Sequence, residues 1–167
     1  MRAVVTGGAG FIGSHLVKEL LSNGYYVTVL DDFSTGDMDN LEPHPNLMIE
    51  VRDITVDELP TMQFDTLFRL AAPVSVHESL EVPMKYWNGI SVASRRVMEW
   101  AYSMGAKSMV AASTAAVYGD STDVPLKESH RPEPMSPYAD FKLEMEYMML
   151  KFRIWCLREF HNVYTYK

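Results

Sequence analysis

A doubly wound α/β fold built on a parallel sheet is predicted by three features of this 167-residue chain. Apolar, β-branched stretches alternate with helical ones, a glycine-rich turn joins the first strand to the first helix, and the second strand ends in carboxylates. Strands are expected near residues 2–6, 26–31, 47–51, 66–70, 108–113 and 162–166, and helices near 11–23, 84–104 and 137–158. Short strand-to-helix connections imply parallel pairing with helices on both faces. The Pro- and Asp-rich segments 34–46 and 120–137 form the long loops. In such sheets ligands gather beyond the carboxyl ends of the strands.

The opening strand and turn carry the most information. Residues 4–16 read VVTGGAGFIGSHL, so an apolar strand runs through Thr6 into Gly7, Gly8, Gly10 and Gly13 as the helix begins. Gly7 suits a tight turn, Gly10 lets backbone approach a pyrophosphate, and Gly13 lets the helix lie close to the strand. The helix N-terminus turns free N–H groups and the positive end of its dipole toward an anion. Further on, the strand YYVTVL ends in Asp31 and Asp32. A carboxylate there accepts hydrogen bonds from ribose hydroxyls and repels a 2′-phosphate, which predicts a Rossmann-type site that selects NAD over NADP.

Composition narrows the remaining classes. The chain is 47% apolar and 22% charged, as expected of an ordinary globular core. A net charge of −7 without a basic cluster argues against nucleic acid and anionic membranes as partners. No apolar run approaches a membrane span, and because the first strand starts at once no signal peptide is expected. A single cysteine, Cys156, excludes an internal disulfide and suits a reducing cytoplasm. The five histidines are scattered without metal-ligand spacing, so no metal is expected.

A second constellation lies in SPYADFK, residues 136–142. Ser136 is placed to cap a helix whose first residue is Pro137, which puts Tyr138 and Lys142 one turn apart on one face. A nearby ammonium favours the phenolate, making Tyr138 a candidate general base for a substrate hydroxyl. The preceding strand ends in Ala112-Ser113-Thr114, where a hydroxyl can help hold the same substrate oxygen.

In order, TGGAGFIGSHL, DDFSTG, RDI, LAAPVSV, ASTAAVYGD and SPYADFK resemble the extended short-chain dehydrogenase/reductases. Within that group the chain is similar to the NAD-dependent epimerase/dehydratase family, most of all its UDP-glucose 4-epimerases. The resemblance implies NAD contacts from Gly7, Gly10, Phe11, Ile12, Gly13, Asp31, Asp32 and Ser34. It places Asp53 and Ile54 at the adenine, Leu70, Ala71 and Ala72 along the phosphates and ribose, and Ser113 near the nicotinamide. Thr114, Tyr138 and Lys142 fall on the catalytic Thr, Tyr and Lys, with Lys142 also holding the nicotinamide ribose. The implied reaction is transient oxidation at C4 of a nucleotide-sugar, a UDP-hexose, with Tyr138 moving the 4-hydroxyl proton and tightly bound NAD recycled in each turnover.

The 4,6-dehydratases of that group place an Asp-Glu pair just after the catalytic Thr, and this chain has Ala115-Ala116, which favours epimerisation over elimination. Three positions depart from the pattern. Arg69 stands where the family has the His of HLAA, Phe141 replaces the Ser before the catalytic Lys, and Ile90 replaces an Asn, with Asn88 two residues earlier. Relatives continue into a smaller C-terminal domain that binds the nucleotide-sugar. The resemblance therefore implies that residues 1–167 are an NAD(P)-binding Rossmann domain truncated before that substrate domain. It also implies a homodimer through the 84–104 and 137–158 helices, the latter carrying Met145, Met148 and Met149. Two other readings stay open: a catalytically idle NAD-binding module, and another NAD-dependent nucleotide-sugar dehydratase or reductase.

Overall fold

Strand β1 (Arg2–Thr6) lies at the centre of a five-stranded sheet completed by β2 (Tyr26–Asp31), β3 (Leu47–Val51), β4 (Thr66–Arg69) and β5 (Ser108–Ala111). All pairings are parallel and the order is β3-β2-β1-β4-β5, the Rossmann-like arrangement, in a computed structural model that describes residues 1–121 and 124–159. The expected strand at 162–166 lies outside the described residues. The order reverses between β1 and β4, so the switch point of the sheet falls at their carboxyl ends.

The described residues form two compact units, Met1–Ala72 with Glu99–Ala112, and Pro73–Met98 with the chain from Ser113 onward. In the first, Val4, Val5 and Leu67 are fully buried, which explains why the central strands read as continuous apolar runs. Helix α1 (Phe11–Ser22) buries Gly13, Val17, Leu20 and Leu21, at helical spacing. They join the core of Ala3, Val5, Val27 and Val29. Trp100 stacks on Phe64, centroids 4.8 Å apart, and donates its indole N–H to the Pro60 carbonyl at 2.9 Å.

Two strands end earlier than expected. β4 stops at Arg69 because the Leu70 and Ala71 amides both turn onto the Thr6 carbonyl at 3.0 Å. β5 stops at Ala111, opposite Arg69, the last residue of its partner, so Ser113 and Thr114 lie in the loop beyond the strand.

The second unit corrects the helix expected over 84–104. Helix α2 (Val76–Glu81), which was not expected, comes first, followed by α3 (Pro83–Tyr86), a π-helical turn (Trp87–Val92) and α4 (Ala93–Ser103). The π turn buries Ile90 and Ser91 side by side on its inner face. Gly89 permits a close pass, since a Cβ there would lie 2.8 Å from Pro73 Cδ. Helix α5 runs Pro137–Glu159, and it packs on α2, α3, the π turn and a 3₁₀ turn at Ala115–Tyr118. No helix among the described residues is long and apolar enough to cross a membrane.

Arg69 ends β4 at 1% exposure. Burial lowers its guanidinium to about 10. A depression of that size corresponds to about 3 kcal/mol against the charged folded state. Because the folded-state value is the lower one, this penalty is full below about pH 10 and fades as pH rises through it. Arg69→Met, which keeps the length of the side chain, removes this pH-dependent penalty along with the polar contacts of the guanidinium. The stability of the variant relative to the parent is therefore expected to fall between about pH 9 and about 11 in denaturant titrations. A difference from the parent that stays constant across that range would contradict this.

Candidate active site

The glycine turn is shaped by close approach. Gly7 adopts φ +71° and donates its N–H to the Leu30 carbonyl at 2.9 Å. A Cβ on it would come within 2.6 Å of the Ala71 nitrogen. Gly13 sits so near the turn that a Cβ there would lie 2.7 Å from Gly8 Cα and overlap the Gly7 carbonyl. Gly10 differs. Its backbone is extended, and a Cβ would find no neighbour nearer than the Gly7 oxygen at 3.4 Å, which leaves its outer side open.

Gly10 is also the N-cap of α1, and no side chain caps this helix end and no acid occupies its first turn. The first N–H groups of a helix lack partners of their own, so this terminus keeps its donors and its positive dipole end for an anion. An open Cα and an uncapped helix start are what a pyrophosphate requires, and the turn fits a dinucleotide. Leu70, Ala71 and Ala72 follow β4, half-buried, with Ala71 against Gly7.

Asp31, at the end of β2, is 6% exposed. One carboxylate oxygen accepts the Ala9 N–H at 2.8 Å and the other the Phe33 N–H at 2.9 Å. The same carboxylate thus fastens the glycine turn to the second strand, a role the sequence reading missed. Each oxygen retains a lone pair suited to a hydroxyl donor. Asp32 is exposed and accepts from the Ser34 N–H and hydroxyl at 2.9 and 2.7 Å. Asp53 accepts from the Thr55 N–H and hydroxyl at 2.8 and 2.6 Å, ahead of the buried Ile54.

In the second unit Tyr138 and Lys142 are 7% and 3% exposed, one turn apart on α5, with the ammonium 5.9 Å from the phenol ring centre. The start of this helix is closed. Pro137 has no N–H, the Tyr138 N–H goes to Ser79 Oγ at 3.2 Å, and the Ala139 N–H goes to Ser136 Oγ at 3.2 Å. Thr114 Oγ1 accepts the Ala116 N–H at 3.2 Å, so its own proton remains available to donate. Ser113 donates to the Glu146 carboxylate. Of the departures, Ile90 is fully buried, whereas Asn88 is exposed.

Sequence reasoning overlooked Ser79, Tyr86 and Glu146. Glu146 had a signal, for it continues the four-residue spacing of Tyr138 and Lys142 along α5. Ser79 lies on the helix that was missed, and the sign of that helix was Ser75 followed by Glu78, the spacing of a capping box. Ser75 Oγ accepts the Glu78 N–H at 3.1 Å.

Sheet order, glycine turn and an acid-ended second strand define a Rossmann-like α/β protein. Within that class the chain belongs to the NAD dependent epimerase/dehydratase family, whose sequence pattern matches residues 3–160. The UDP-glucose 4-epimerase of Corynebacterium glutamicum is 33% identical over 153 residues, which cover 91% of this chain and 46% of that protein. A UDP-N-acetylglucosamine 4-epimerase from Methanobrevibacter ruminantium, solved with UDP-N-acetylmuramic acid, superimposes with a TM-score of 0.87. It is 37% identical, over 92% of this chain and 50% of its own. The UDP-glucose 4-epimerase of Thermus thermophilus, solved with NAD, gives a TM-score of 0.82 at 32% identity, over 91% of this chain and 50% of its own. The chain thus spans about half the length of the curated relatives it matches.

Proposed function

We propose that the chain is the cofactor-binding and proton-transfer part of a nucleotide-sugar 4-epimerase of the UDP-glucose/UDP-galactose type. The observation that carries this reading is the buried Tyr138–Lys142 pair on a helix whose first turn is fully hydrogen-bonded. NAD would be held by Gly7, Gly10, Phe11, Ile12, Gly13, Asp31 and the 70–72 segment, with Asp32, Ser34, Asp53 and Ile54 serving its adenosine end. When bound it supplies a hydride acceptor for the sugar C4 and later returns the hydride to the opposite face.

The remaining steps belong to the chain's own side chains. Tyr138, one helical turn from the Lys142 ammonium, takes the proton of the 4-hydroxyl and gives it back at the end of the cycle. Thr114 donates its hydroxyl proton to the same sugar oxygen, while one of its lone pairs accepts the Ala116 amide. Ala115 and Ala116 bring neither acid nor base, so the chain lacks there the groups that loss of water demands. The same reading includes a homodimer through the 84–104 segment and α5, for which the exposed Tyr147 and Leu150 of α5 offer apolar surface, and a cytoplasmic location.

The test is interconversion of UDP-galactose and UDP-glucose by the intact protein with NAD. Turnover in both directions is expected. NAD binding without turnover of either sugar would overturn the epimerase reading and leave an idle dinucleotide-binding module.

A further inference from the structure

We propose that Ser79 and Tyr86 are positioning residues that fix Tyr138 for proton transfer, an inference that rests on the epimerase reading above. Neither residue touches a reacting atom in that reading. Both act on Tyr138, from two sides.

Ser79 is fully buried and its hydroxyl is doubly engaged. It donates to the Val76 carbonyl at 2.6 Å and accepts the Tyr138 N–H at 3.2 Å. Because the proton is committed to Val76, only a lone pair faces α5, and the bond to Tyr138 has one polarity. The Tyr138 N–H belongs to the first helical turn, which has no intrahelical acceptor for it. Ser79 thereby ties the backbone that carries the phenol to helix α2.

Tyr86 supplies the second constraint. Its ring meets the Tyr138 ring edge to face, centroids 6.2 Å apart and planes at 87°, and it is itself fully buried. Its hydroxyl donates to Glu78 Oε2 at 2.7 Å and accepts the Ser75 N–H at 3.1 Å. Lys85 holds the other Glu78 oxygen at 2.6 Å. Burial first, then the Glu78 carboxylate, raises the pKa of Tyr86, so it remains a neutral phenol. The wall beside Tyr138 is therefore a ring pinned at its far end by two bonds, to the Glu78 carboxylate and from the Ser75 amide, with Lys85 bracing that carboxylate. One short helix, α2, carries both the acceptor for the Tyr138 backbone and the anchor for the Tyr86 ring.

Ser79→Ala and Tyr86→Phe, made in the intact protein, test the proposal. Tyr86→Phe keeps the ring and loses only the tie, so it decides the matter even where Ser79→Ala folds poorly. With UDP-galactose as substrate, kcat is expected to fall roughly tenfold or more in Ser79→Ala and several-fold in Tyr86→Phe, with KM and NAD affinity within about twofold of the parent. The ring signals of carbon-labelled Tyr138 should pass from one set to several or broaden. Parental kcat together with one unchanged set of ring signals in both variants would overturn the proposal. A parent protein inactive on both sugars would instead sink the epimerase reading, and the Tyr138 ring signals alone would then decide the positioning role.

Discussion

Tyr138→Phe is expected to lower kcat for UDP-galactose by about a thousandfold while NAD binding and the unfolding midpoint stay at parental values. The substitution removes one oxygen and nothing that holds the helix. The first-turn bonds run from the backbone of residue 138 to Ser79 Oγ and from that of residue 139 to Ser136 Oγ, and both persist. The edge contact with Tyr86 is a ring contact and also persists. Lys142 keeps its place one turn along at 3% exposure. What disappears is the only atom that can take the 4-hydroxyl proton in the proposed reaction, and a positioned general base contributes about a hundred- to ten-thousandfold to such a step. Steady-state rates beside a binding titration with NAD check the expectation. A variant within tenfold of the parent would remove Tyr138 from the proton path, whatever the chain's substrate.

Local spacing explains which parts of this architecture could be read in advance. The first three strands were placed residue for residue because each is an apolar run bounded by turn residues, continuous and β-branched in the buried β1 and β2. The ends of β4 and β5 were not, since a ladder stops where its partner stops, and Arg69 opposite Ala111 is a fact of pairing. A single helix over 84–104 was the natural reading of the apolar pattern. The π turn at Trp87–Val92 is absent from that pattern because it depends on Gly89 passing Pro73.

The site divides in the same way. The glycines and the Tyr138–Lys142 pair declare themselves within a dozen residues. Ser79 meets Tyr138 across 59 residues and Ser113 meets Glu146 across 33, so no local period could have signalled either. The two helix starts show how like elements are turned to different ends. The N-terminus of α1 has no side-chain cap and faces an open glycine, whereas that of α5 spends every first-turn donor on a serine. An uncapped terminus serves a ligand, and a closed one holds a side chain still.

Gly10→Val and Gly13→Ala are expected to fail in opposite ways. At Gly10 the backbone is extended, at φ −75° and ψ 176°, a conformation any residue adopts, and a new Cβ meets only one oxygen at 3.4 Å. The added methyl groups point into open space beside the helix start, where the reading above puts a pyrophosphate. Folding should therefore change by only about 1 kcal/mol, the cost of a poorer N-cap, while NAD affinity drops about a hundredfold or more. At Gly13 the new Cβ overlaps the turn itself, with Gly8 Cα at 2.7 Å and the Gly7 carbonyl closer still, so α1 must lift from the strand. Forced overpacking of this kind costs about 1–3 kcal/mol and lowers the unfolding midpoint by several degrees in a chain of this length. Thermal melts paired with NAD titrations separate the two effects. Retained NAD affinity in Gly10→Val would mean that no phosphate lies against Gly10. Comparable unfolding in both variants would show instead that the open side of Gly10 is packed against the fold.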